Sequence, residues 1–152
     1  MQADAAILAP GRTLCHAPGT SKKRLFETIA RLISEDQPAL PYDDVLDHLI
    51  AREKLGSTGL GGGIAIPHCR IGNCDRPLGT LVTVEEAIEF DAPDDRAVDL
   101  LFVLLVPEEA NQEHLDTLAR IARVMSQADF CQQLREAGDS EALYALAAGQ
   151  GL

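Results

Sequence analysis

One stretch of the 152-residue chain concentrates residue types able to do chemistry: GSTGLGGGIAIPHCR, Gly56 to Arg70. It holds five of the twelve glycines, then an apolar run, then Pro67 and His68. Two nucleotide-binding patterns fail on it. A P-loop needs lysine after its second glycine, and Gly62 stands there. The dinucleotide pattern GxGxxG breaks at Ile64, the position its last glycine would fill. What remains is a run of backbone N–H groups with little side-chain cover, leading to a histidine behind a proline.

Those parts suit an anion. Glycines allow close backbone approach, and successive N–H groups can form an anion-binding hollow. Gly59, Gly61 and Gly62 are therefore expected to wall a phosphoryl-binding site, with the Ser57 and Thr58 hydroxyls as added donors. Arg52, sixteen residues before His68, offers a planar cationic fork suited to phosphate. Imidazole near neutral pH keeps a free lone pair, so His68 can act as a nucleophile, and Pro67 restricts the backbone that aims it. The chemistry that uses these parts together is phosphoryl transfer to histidine, where positioning and electrostatics do most of the catalysis. Arginine and N–H groups can supply the positive field without a metal. The competing reading is structural: the glycines make a tight turn and His68 is a core residue.

Elements are needed to hold these residues. Ser21 reads as an N-cap for an amphipathic helix over 22–35, with Leu25, Phe26, Ile29, Leu32 and Ile33 at helical spacing. A second helix is expected at 42–54, ending before Gly56. IAI (64–66), LGTLVTV (78–84) and VDLLFVLLVP (98–107) read as strands, with AIEF (87–90) a weaker one. The 98–107 run is apolar throughout, as a strand buried on both faces would be. Helices follow at about 111–126, after Ser126, and from Asp139 or Ser140. Residues 1–20, punctuated by Pro10, Gly11, Pro18 and Gly19, are expected to form an irregular N-terminal arm. The order predicts one α/β domain over 21–150, a central mixed sheet with helices on both faces.

Composition narrows the partners. The formal net charge is −11, which argues against nucleic acid, whose binding rests on neutralising phosphates. Residues 1–34 nonetheless carry five basic and two acidic side chains, so the cluster KKR (Lys22 to Arg24) stands on an acidic body, either as a solvated helix start or as a docking feature. No apolar run is long enough to span a membrane, so no membrane insertion and a cytoplasmic location are expected. The four cysteines form no CxxC pair and are expected reduced. His68, Cys69, Cys74 and His114 lack a usual zinc spacing, so no metal is expected. His114 continues an apolar stripe at a helix start, where the N–H groups favour an anion.

REKLGSTGLGGGIAIPH resembles the active-site segment of the mannitol/fructose-type IIA family of the bacterial phosphotransferase system. VDLLFVLLVP and HLDTLARIA resemble that family's later motifs in the right order, and the likeness, strongest to its nitrogen-regulatory branch, covers roughly residues 21–148. It implies that His68 is the phosphoryl acceptor, modified at Nε2. It also implies that His114 is a second histidine near the phosphoryl group, that Arg52 contacts that group, and that Ser57 and Thr58 flank it. It implies no cofactor. The donor would be an HPr-like phosphocarrier charged by an enzyme I, and the targets regulatory proteins such as potassium transporters or sensor kinases. Two alternatives stay open: a sugar-specific IIA component that passes phosphate to a IIB domain, and a binding module that carries none. One departure is visible, since the residue after the active histidine is usually glycine in that family and here is Cys69.

Overall fold

The computed structural model describes residues 7–18, 21–109 and 112–152, with the backbone alone at Glu113 and His114. In chain order the elements are β1 (Thr13–Ala17), α1 (Lys22–Asp36), α2 (Tyr42–Lys54), β2 (Gly59–Gly61), β3 (Ile64–Ala65), β4 (His68–Ile71), β5 (Leu78–Ile88), β6 (Val98–Pro107), α3 (Gln112–Met125), α4 (Ala128–Glu136) and α5 (Ser140–Ala148). The strands form one mixed sheet in the order β1-β5-β6-β3-β2, with β4 also paired to β6.

β6 is the spine of this sheet. It pairs antiparallel with β5 along one edge, and along the other it pairs parallel first with β3 and then with β4. Ile66 and Pro67 interrupt that second edge, yet Leu104 N still donates to Pro67 O at 2.9 Å. Successive β6 side chains point to opposite faces. Leu101, Val103 and Leu105 pack under α1 and α2 with Leu25, Phe26, Ile29 and Leu49. Leu100, Phe102 and Leu104 pack against α3, α4 and α5 with Ile121, Met125, Phe130 and Leu143. Helices thus cover both faces, as the sequence pattern predicts.

The helices start and stop for local reasons. Ser21 caps α1 by accepting from Arg24 N, and Asp139 caps α5 by accepting from Ala142 N. α2 carries Asp43 and Asp44 in its first turn and Arg52 and Lys54 in its last, which complements the helix dipole. Ser126 does not cap α4. Its hydroxyl donates back to Ala122 O at 2.7 Å, and Gln127 stands at the cap position.

The irregular arm expected over residues 1–20 is corrected for Thr13–Ala17. This segment is an edge strand parallel to β5, with Thr13 opposite Leu81 and Ala17 opposite Val84. His16 takes a φ of 54°, within the irregularity between Leu14 and Ala17, and its N–H donates to Thr83 Oγ1 at 2.8 Å. The pairing with β5, not local propensity, extends this short stretch. Just before it, Arg12 is 2% exposed and donates from Nε to Gly79 O at 3.1 Å, from Nη2 to Ile7 O at 2.9 Å, and from Nη1 to the Asp36 carboxylate. The boundary drawn between residues 20 and 21 therefore separates β1 from the sheet that it completes. Among the described residues no helix is long and apolar enough to cross a membrane.

Candidate functional site

His68 opens β4, opposite Leu104 of β6. Its Nδ1 lies 2.7 Å from Ile66 O. A carbonyl can only accept, so Nδ1 carries the proton and Nε2 keeps its lone pair. The ring is half-buried and lines a small hollow of about 100 Å³ with Cys69, Arg70, Leu104, Val106, Leu115 and Leu118. Leu115 is 54% exposed. Strand alternation puts His68 and Arg70 on one face of β4, toward α3. Arg70 is exposed, and no hydrogen bond or ion pair among the described residues engages its guanidinium. Sequence reasoning gave Arg70 no role. Its signal is the i, i+2 spacing from His68, which carries meaning only once HCRI is known to be a strand.

Cys69 takes the opposite face and packs with the core beneath α2. Burial pushes its thiol up to about 12, while the Arg52 charge pulls the other way. A thiol so placed stays protonated near neutral pH. The departure from the family pattern thus lies on the core side of the strand.

Arg52 sits in the last turn of α2, and its Nη1 donates to Gly56 O at 3.1 Å. The Ser57 hydroxyl donates to Phe90 O at 2.8 Å and accepts from Gly59 N at 3.1 Å. Thr58 is buried. Its hydroxyl donates to Glu53 Oε1 at 2.7 Å and its N–H to Glu53 Oε2 at 3.2 Å. Both hydroxyls thus face inward, to partners that tie the loop to α2 and to the segment at Phe90. His114 belongs to the first turn of α3, next to Leu115, and its side chain lies outside the described residues.

The glycines divide. Thr58 O accepts from Ile66 N, Gly59 pairs with Ala65, and Gly61 pairs with Ile64, so the segment is a hairpin whose turn is at Gly62 and Gly63. That turn points away from His68, five residues along the strand direction, or ~16 Å at ~3.3 Å per residue. Gly62 N–H donates to Asp94 Oδ2 at 2.9 Å, and Arg135 Nη2 donates to Gly62 O at 2.8 Å. Gly61 and Gly62, expected to wall a phosphoryl site, thus lie at this hairpin turn. Their φ values of 94° and 68° serve the hairpin turn, and a carboxylate already takes the Gly62 N–H. Gly59 is a packing glycine: a Cβ there would stand 2.8 Å from the Ala92 Cβ. Among the described residues no group of three His, Cys, Asp or Glu side chains is placed to hold a metal ion.

Comparisons with known proteins agree with this frame. Residues 7–148 match the family described as "Phosphoenolpyruvate-dependent sugar phosphotransferase system, EIIA 2". A nitrogen regulatory protein of Pseudomonas aeruginosa is 50% identical over 138 residues, covering 91% of this chain and 90% of that one. One from Escherichia coli is 44% identical over 125 residues, covering 82% and 76%. The crystal structure of the nitrogen regulatory protein IIA-Ntr from Neisseria meningitidis superposes with a TM-score of 0.84 at 41% identity, covering 92% of this chain and 95% of that one. The mixed sheet with its two helical layers is thus the IIA architecture of a phosphotransferase-type component. The chain belongs to the EIIA type 2 family of the phosphoenolpyruvate-dependent phosphotransferase system, and its relatives include nitrogen regulatory proteins.

Proposed function

We propose that this chain is a regulatory phosphoryl carrier. His68 Nε2 attacks the phosphorus of a phosphohistidine on an HPr-like phosphocarrier. The donor's P–N bond breaks as the Nε2–P bond forms, and the released electron pair returns to the donor's imidazole. The observation that carries this reading is the bond from His68 Nδ1 to Ile66 O, which leaves Nε2 as the nucleophile and steadies the ring as it gains positive character. Arg70, on the same strand face, supplies positive charge where the phosphoryl oxygens would lie. Arg52, Ser57 and Thr58 act mainly by holding the loop that precedes the histidine strand. His114 would complete the site from the first turn of α3.

Phosphorylation adds about two negative charges at one half-buried ring. Such a local electrostatic change alters which proteins can dock beside His68, and the nitrogen regulatory relatives support regulation as its use. The targets would be proteins of nitrogen or potassium metabolism, such as transporters or sensor kinases. The test is incubation with phosphoenolpyruvate, enzyme I and the HPr-like carrier, read by intact mass. The wild type is expected to gain one phosphoryl mass and His68→Ala none. Labelling that survives in His68→Ala would overturn the assignment, and a wild type that gains no mass would favour a binding module without phosphate.

A further inference from the structure

Away from His68, the molecule carries a cavity of about 550 Å³ between the start of α1 and the end of α2, lined by Lys22, Lys23, Phe26, Ile50, Glu53 and Lys54. Its three lysines are not equivalent. Lys22 Nζ is held by Glu53 Oε2 at 2.8 Å and by Phe90 O at 3.0 Å, and it lies 4.2 Å from the centre of the Phe90 ring. Lys23 and Lys54 are exposed, and no carboxylate among the described residues pairs with either. Half-buried Ile50 gives the cavity an apolar part above the buried Phe26, and Leu55, which follows Lys54, is 84% exposed. The site thus combines two free ammonium groups with apolar surface, on a chain of net charge −11.

We propose that this cleft is a docking site for an acidic segment of a partner protein, with carboxylates meeting Lys23 and Lys54 and an apolar side chain seated against Ile50. The charge distribution carries the choice. Lys23 and Lys54 are exposed and have no carboxylate partner among the described residues, so they attract a short acidic segment locally on a chain that is acidic as a whole. The volume lies within the range of pockets that hold a few side chains or a small ligand. The same overall charge opposes an anionic membrane or nucleic acid, whose extended surface would have to approach the acidic body as well. Lys23 of the basic cluster thereby acquires a role separate from phosphoryl transfer.

The test uses the whole chain and a fluorescent peptide of glutamates flanking one leucine, read by anisotropy. Saturable binding is expected, weakened about tenfold by Lys23→Glu with Lys54→Glu and by raising the salt several-fold. It should be absent for a peptide with lysines in place of the glutamates, and retained in His68→Ala, which separates this proposal from the phosphoryl reading. Both lysines are exposed, so the double variant should keep the wild-type melting temperature. Absence of binding, binding that ignores the double variant, or a cleft filled instead by a second copy of this chain in sedimentation experiments would each overturn the proposal.

Discussion

At the scale of single residues, the chemistry rests on which atom each neighbour leaves free. His68 is defined by a carbonyl two residues earlier that claims one nitrogen. Arg70 is defined by having no hydrogen-bond or ion-pair partner among the described residues, and Cys69 by burial that keeps its thiol protonated. Arg70→Gln is expected to slow phosphoryl transfer to His68 about tenfold, because one cation is removed from beside the developing charge. Arg70→Lys should recover part of that loss, and rapid-quench labelling checks both. An unchanged rate in Arg70→Gln would assign the field to other groups. His68 stood out in the sequence as a candidate nucleophile by its residue type and setting. Its tautomer was not, because it depends on how the backbone turns at Ile66 and Pro67.

At the scale of elements, legibility followed burial. Val98–Pro107 announced itself because both its faces are covered, so nearly every position is apolar. β4 did not, because HCRI is short, carries two polar side chains and is extended by pairing with β6. β2 was hidden for a related reason: GLG lacks any strand propensity, and the hairpin forms on the pairing of Gly59 with Ala65 and Gly61 with Ile64. The glycine run therefore looked like a cradle when it is mostly a turn. This is checked by Gly62→Ala. A Cβ there meets nothing closer than 4.0 Å, but a φ of +68° costs an L-residue about 1–2 kcal/mol. Stability measured by urea titration should fall by that amount while the rate of His68 labelling stays at the wild-type value. A labelling defect beyond the stability loss would return the turn to the site.

At the scale of the whole molecule, Arg12 binds three regions together: the segment at Ile7, β5 at Gly79, and the end of α1 at Asp36. The Gln37 side chain and the Arg12 guanidinium both hold the Asp36 carboxyl below its ordinary value. A carboxyl lowered on folding stabilises the fold above its unfolded pKa, about 3.9, and that contribution is lost as the pH falls through the lower folded value. Asp36→Asn leaves a nearly inaccessible guanidinium without its counter-ion and is expected to cost about 2 kcal/mol at neutral pH, lessened from a fully buried pair because Asp36 is partly exposed. The difference from the wild type should shrink below about pH 4, as the wild-type carboxyl is itself neutralised. Chemical denaturation at several pH values checks this, and a gap that stays constant down to pH ~2 would assign the loss to something other than charge.

The register of the sheet also sets an order in time. β1 pairs with residues 81–84, and the histidine strand pairs with β6, more than thirty residues downstream. Such non-local pairings close late, and on the ribosome they wait for their partner to emerge. Until Leu104 has left the exit tunnel, β4 has no neighbour to straighten it and Pro67 O has no amide to hold. A nascent chain therefore carries His68 for a good part of its synthesis without the strand partner that fixes its direction, and the proposed site takes shape only when the second half of the molecule arrives.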